Sequence, residues 1–211
     1  MVGSWSSGES RVPGPMGNDI VNLPIGLTLA RIVLVPFVVM FLISSSRVHV
    51  FIAAVIFVAA SLTDWLDGLV ARRRNQVTTL GKLLDPVADK LLVAAALVAL
   101  FQLEKVAAWM VLVIVGRELA VTGLRAVSAS VGIVVPASQL GKYKTLSQYA
   151  AITLLILEQG VPSQYGSVHW LAAGALWVAL LLTVVSGAHY FIRFFAKADF
   201  HALVGEHDRW S

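Results

Sequence analysis

The sequence predicts an all-α integral membrane protein, a bundle of six transmembrane helices with both termini on the cytoplasmic side. Three observations predict it. The 211 residues are 58% hydrophobic and only 13% charged, whereas a soluble domain is about 25% charged. The apolar residues gather into six segments, each close to the ~20 residues a helix needs to cross the hydrocarbon core. Lys and Arg are shared unevenly between the two ends of those segments, and that bias sets orientation.

Residues 1–19 are polar and rich in Gly, Ser and Pro, the composition of a disordered tail. They lack the basic stretch, apolar core and small-residue cleavage site of a signal peptide. The membrane domain is expected over residues 20–197, followed by a cytoplasmic tail over 198–211. Its first apolar segment runs roughly from Leu23 to Ser44, the second from Val48 to Arg72 and the third from Gly81 to Leu103. The fourth runs roughly from Lys105 to Ser130, the fifth from Gly141 to Leu157 and the sixth from Val168 to Phe195. The fifth is short for a crossing and is expected to be tilted or flanked by an interfacial turn. Arg72, Arg73 and Arg74, then Lys142 and Lys144, then Arg193, Lys197 and Arg209 fall on one side. The opposite connections hold only Arg47 and Lys105. The more basic side is the cytoplasmic one.

Composition also excludes function classes. There is no cysteine, so disulfides, thiol catalysis and cysteine–metal sites are ruled out. The formal net charge of +4 comes from basic residues beside apolar spans, not from a basic patch interleaved with aromatics, so nucleic acid is not the expected partner. His49, His169, His189, His201 and His207 show no metal-ligand spacing. Trp65, Trp109, Trp170 and Trp177 suit interfacial or packing roles.

The chemistry concentrates in four aspartates. Asp64 and Asp67 are three residues apart, and Asp85 and Asp89 four apart. Either spacing puts a pair on one helix face. The second and third spans are joined by a short loop, so they should be antiparallel neighbours. At ~1.5 Å rise per residue, the first pair lies about 7–12 Å from Arg72 and the second about 6–12 Å from Gly81. All four carboxylates then reach a similar depth near the cytoplasmic interface. One ionised aspartate at the centre of a membrane helix costs ~2.5–3.5 kcal/mol, and mutual repulsion adds to this. Bound cations or protonation would relieve it. Oxygen-only ligands suit Mg²⁺ or Mn²⁺, and a pair of such ions suits phosphoryl chemistry. Gly68, Ala71 and Gly81 leave room for a phosphate or nucleotide beside the carboxylates, a reading preferred here to close helix packing alone.

Asp64, Asp67, Gly68, Ala71, Arg72, Gly81, Asp85 and Asp89 fill the pattern D-x-x-D-G-x-x-A-R, eight residues, G-x-x-x-D-x-x-x-D. This resembles the motif of the CDP-alcohol phosphatidyltransferase family without a departure at any position. "NLPIGLTLARI", "GRELAVTGLR" and "GKYKT" extend the likeness over most of Asn22 to Gln148. It is greatest to the bacterial members that use glycerol 3-phosphate. The resemblance implies a six-helix bundle of that family's type in the bacterial plasma membrane, with its site facing the cytoplasm. It implies transfer of a phosphatidyl group from CDP-diacylglycerol to the hydroxyl of glycerol 3-phosphate, giving phosphatidylglycerophosphate and CMP. By similarity, Asp64, Asp67, Asp85 and Asp89 are metal ligands and Asp89 is also the general base. Gly68, Ala71, Arg72, Thr78 and Gly81 would contact CDP-diacylglycerol, with Thr28 and Arg31 of the first span joining them. A homodimer is the family-based expectation.

The acceptor is read from cations. Arg117 and Arg125 lie in the fourth span, and Lys142 and Lys144 open the fifth. Cations in membrane helices face a cavity or a partner, and a phosphorylated acceptor needs several. These four are therefore the candidate acceptor-phosphate ligands. Competing readings are a structural pair of Arg117 with Glu118 or an aspartate, and simple anchoring by Lys142 and Lys144. Arg73 and Arg74 suit lipid headgroups or topology. Inositol phosphate, serine or phosphatidylglycerol as acceptor is the nearest alternative, and a cation or proton transporter using the aspartates is a distant one.

Overall fold

The computed structural model describes residues 23–74, 79–130, 139–161 and 166–207, and the side chains within them apart from 23–25, 27, 64–86 and 198–207. Six helices follow one another: α1 Leu23–Ile43, α2 Arg47–Arg74, α3 Thr79–Gln102, α4 Ala108–Ser130, α5 Gln139–Gly160 and α6 Gly166–His207. No strand occurs among the described residues. The six expected segments each become one helix.

Two helices are longer than hydropathy alone suggests. α5 spans 22 residues, enough for a full crossing, where a short segment was expected. Its polar C-terminal end is retained as helix because it is used: Gln159 Nε2 donates to the carbonyl of Leu42 at 3.1 Å, and Glu158 pairs with Lys105 at 2.9 Å. α6 continues past Phe195 to His207. Its stretch Gly166–Lys197 is long and apolar enough to cross a membrane by itself, and Thr28–Ile43 and Arg47–Thr63 are shorter apolar stretches.

All six helices feed one core. Val38 and Leu42 of α1, Phe57 of α2, Leu92, Leu97 and Leu100 of α3, Ile114 of α4, Ile152 and Ile156 of α5 and Leu176 and Leu180 of α6 meet there. Alanines at the contacts (Ala53, Ala54, Ala96, Ala99, Ala172) let the backbones approach closely. α5 packs most extensively on α6, and α1 packs on both α2 and α3; among the described residues α2 and α3 touch only lightly. The outward faces stay apolar, with Val33, Phe51, Val98, Leu112, Leu146, Trp170 and Leu181 all more than half exposed.

The α3–α4 corner is a tight reversal. Glu104 adopts a left-handed backbone, φ 59°. Its N–H donates to the carbonyl of Phe101 at 2.9 Å, and that of Lys105 donates to Leu100 at 2.9 Å. The end of α3 thereby satisfies carbonyls that have no partner within the helix.

Candidate active site

The site is assembled from α3, α4 and α5, with α6 behind them. Asp89, Lys90 and Val93 of α3, Glu118 of α4, and Lys144, Thr145, Gln148 and Tyr149 of α5 line a small opening in the bundle. Tyr149 is placed by its ring, which meets Phe57 edge-on with centroids 6.1 Å apart. That packing turns its hydroxyl to donate to Asp89 Oδ1.

Next to this pair sits a cluster of charge. Glu118 Oε1 accepts from Arg117 Nη1 at 3.1 Å and forms an ion pair with Lys144 Nζ. The side chains of Lys144, Arg117 and Glu118 are only 4%, 14% and 15% exposed, and buried charges persist only when paired. Arg117 is held from behind as well. Its Nη2 donates to Ser186 Oγ at 3.0 Å, and its stem crosses α6 at Gly187, where a Cβ would stand 3.0 Å from Arg117 Cγ. Gln148 donates to Thr183 Oγ1 at 2.9 Å, and Thr183 donates on to the carbonyl of Ala179 at 2.6 Å. The polar lining is thus tied into α6 through buried hydrogen bonds, which fixes side-chain positions.

A CDP-alcohol phosphatidyltransferase domain matches residues 21–185. The chain belongs to the CDP-alcohol phosphatidyltransferase family. It is 47% identical to the CDP-diacylglycerol–glycerol-3-phosphate 3-phosphatidyltransferase of Bacillus subtilis, over 81% of this chain and 93% of that one. It is 37% identical to the Escherichia coli protein of the same name, over 84% and 96%. A probable phosphatidylglycerophosphate synthase of Mycobacterium tuberculosis is 40% identical over 82% of each chain.

Of the family motif, Asp89 is the position whose side chain is described, and it is half-buried and lines the opening. Asp64, Asp67, Gly68, Ala71 and Arg72 lie on α2, and Gly81 and Asp85 on α3, but their side chains fall outside the described residues, as does Thr78 altogether. Among the described residues no group of three potential metal-ligating side chains occurs. Thr28 and Arg31 are buried on α1, at 0% and 2% exposure.

The four candidate acceptor cations separate into two groups. Arg117 and Lys144 come together through Glu118. Arg125 is exposed, its guanidinium 5.3 Å from the centroid of the Tyr190 ring. Lys142 is exposed, as expected two residues from buried Lys144 on a helix. Sequence reasoning missed Lys90, Gln148 and Tyr149. Lys90 carried a signal, a cation inside an apolar span next to Asp89. Tyr149 carried none, since only the packing of α5 brings it to Asp89.

Proposed function

We infer that this chain transfers a phosphatidyl group from CDP-diacylglycerol to glycerol 3-phosphate, giving phosphatidylglycerophosphate and CMP. The carrying observation is the 47% identity to a curated enzyme named for that reaction, across 93% of that enzyme's length. The site agrees with it, because Asp89 and Lys144 line one opening and Arg117 stands behind it, joined to Lys144 through Glu118.

All six helices cross the bacterial plasma membrane in this reading, with both termini and the site opening on the cytoplasmic side. The outward apolar residues on every helix support it, since such faces suit acyl chains. CDP-diacylglycerol then keeps its tails in lipid and brings its nucleotide to Thr28, Arg31, Gly68, Ala71, Arg72, Thr78 and Gly81.

The donor set of Asp64, Asp67, Asp85 and Asp89 is carboxylate oxygen throughout, and the one described carboxylate turns into the opening. That chemistry fits a hard divalent cation, Mg²⁺ or Mn²⁺, and four carboxylates suffice for two ions. Bound there, the ions would supply countercharge to the pyrophosphate and to departing CMP. The chain's own groups do the rest. Asp89 accepts the proton of the acceptor hydroxyl, while Tyr149 holds that carboxylate in place. The acceptor oxygen forms its bond to the phosphorus bearing diacylglycerol, and the bond from that phosphorus to CMP breaks. Lys144 and Arg117 receive the acceptor's phosphate, with Arg125 and Lys142 guiding it from outside.

The test is CMP release from CDP-diacylglycerol by purified protein in detergent with Mg²⁺, adding glycerol 3-phosphate, inositol phosphate or serine in turn. Release with glycerol 3-phosphate alone is expected. Release only with another acceptor overturns the substrate assignment, and release with none overturns the reaction.

A further inference from the structure

Glu118 already occupies Arg117 and Lys144, the two cations assigned above to the acceptor's phosphate. It lines the opening together with Asp89, Lys90 and Lys144, and its Oε1 engages both Arg117 and Lys144. Arg117 does not line the opening; it lies behind, fixed by Ser186 and by its passage over Gly187. Arg117 therefore lies behind Glu118, while Lys144 reaches the opening already paired with that carboxylate. We propose that Glu118 is a displaceable internal counter-ion, which offsets part of the charge of Arg117 and Lys144 when the site is empty and yields them to the acceptor's phosphate. The proposal rests on the acceptor reading above.

The charges favour this exchange for one class of ligand. One carboxylate against Arg117 and Lys144 leaves the trio with an excess positive charge. A phosphate monoester brings close to two negative charges and three acceptor oxygens, so it replaces the carboxylate and gains on it. A neutral or zwitterionic alcohol brings nothing to set against the carboxylate it must displace. Glu118 thereby becomes a specificity-determining residue: it raises the charge an acceptor must carry before it can enter. A purely structural Glu118, holding Arg117 and Lys144 in the right places for phosphate, makes the opposite prediction on removal.

The full-length protein in detergent is the material for the test, as wild type and E118Q. Equilibrium dialysis against radiolabelled orthophosphate reads anion binding without reference to activity. E118Q should bind orthophosphate about fivefold to tenfold more tightly, the scale of one charge-assisted contact released to the ligand. In CMP-release assays its KM for glycerol 3-phosphate should fall likewise, with KM for CDP-diacylglycerol unchanged. Unchanged or weaker orthophosphate binding overturns the proposal. If E118Q does not fold, E118D, which retracts the carboxylate by one methylene, should move binding in the same direction by less; weaker or equal binding there overturns it too. Wild-type protein that releases no CMP with glycerol 3-phosphate would fail the acceptor reading instead, and the dialysis result would still stand or fall separately.

Discussion

Asp89 carries the reaction in this reading, and its environment shows how a modest base is made effective. A carboxylate beside bound cations is a weak proton acceptor, so position has to supply much of the acceleration. Tyr149 supplies position through its hydrogen bond to Oδ1. Tyr149→Phe keeps the ring against Phe57 and removes only the donor. It should lower kcat by about threefold to tenfold, the scale of one net hydrogen bond, with KM for both substrates unchanged. A rise in KM for CDP-diacylglycerol with kcat intact would instead make Tyr149 part of the lipid site. The aspartate half of this pair was legible in the sequence because its spacing is dictated by helix geometry. The tyrosine half was not, because Asp89 and Tyr149 are 60 residues apart and meet only through the packing of α3 and α5. Arg117 and Lys144 stood out as cations in apolar spans, but the sequence left open whether they were paired, and the fold pairs both with Glu118.

Element ends hold the second kind of information. The reversal between α3 and α4 puts a non-glycine residue, Glu104, into the left-handed region at φ 59°. A Cβ is strained there, and glycine is not, although glycine loses more freedom on folding. Glu104→Gly should therefore stabilise the protein by roughly 0.5–1 kcal/mol, read as a higher midpoint in detergent unfolding; a lower midpoint would mean that the exposed Glu104 side chain makes a compensating contact. Just past the expected end of the fifth span, Glu158 joins Lys105 at 2.9 Å and His169 at 3.0 Å. Burial pushes its carboxyl up, but the hydrogen bonds from Lys105 and His169 and their charges outweigh burial and leave it below the ordinary 4.5. A carboxylate with a depressed folded-state pKa contributes stability above its unfolded value and loses that contribution as pH falls through the folded one. The stability advantage of wild type over Glu158→Gln should thus be full above pH ~5 and shrink as pH falls below about 4.5; an advantage flat across that window would remove Glu158 from the tie. Hydropathy hid this corner, because the same polar residues that join helices here look like the end of a span.

At the scale of the whole molecule, two faces of the sequence have to agree: apolar stripes that face outward and charge that is gathered inside or at one end. The helix count was legible because each run of apolar residues is one element. Which side of the membrane each end occupies is a different matter, since it is set by loop charge and not by packing. Arg72, Arg73, Arg74, Lys142, Lys144, Arg193 and Lys197 fall toward one end, and Arg47 and Lys105 toward the other. Cytoplasmic loops carry the excess of Lys and Arg, so the reading proposed above puts the α2–α3 connection and the C-terminus inside and the α1–α2 turn outside. The chain has no cysteine, so one introduced thiol reports one location. Ser45, exposed in the turn between α1 and α2, and Ser211, at the C-terminus, are the informative pair. In intact bacterial cells a membrane-impermeant maleimide should label Ser45→Cys, and should label Ser211→Cys only after the membrane is opened. The reverse pattern would put the site opening on the outer face, away from a cytoplasmic supply of nucleotide-activated lipid and phosphorylated acceptor. Labelling of both in intact cells would mean an even number of crossings between them, which the five helices from α2 to α6 permit only if one does not span.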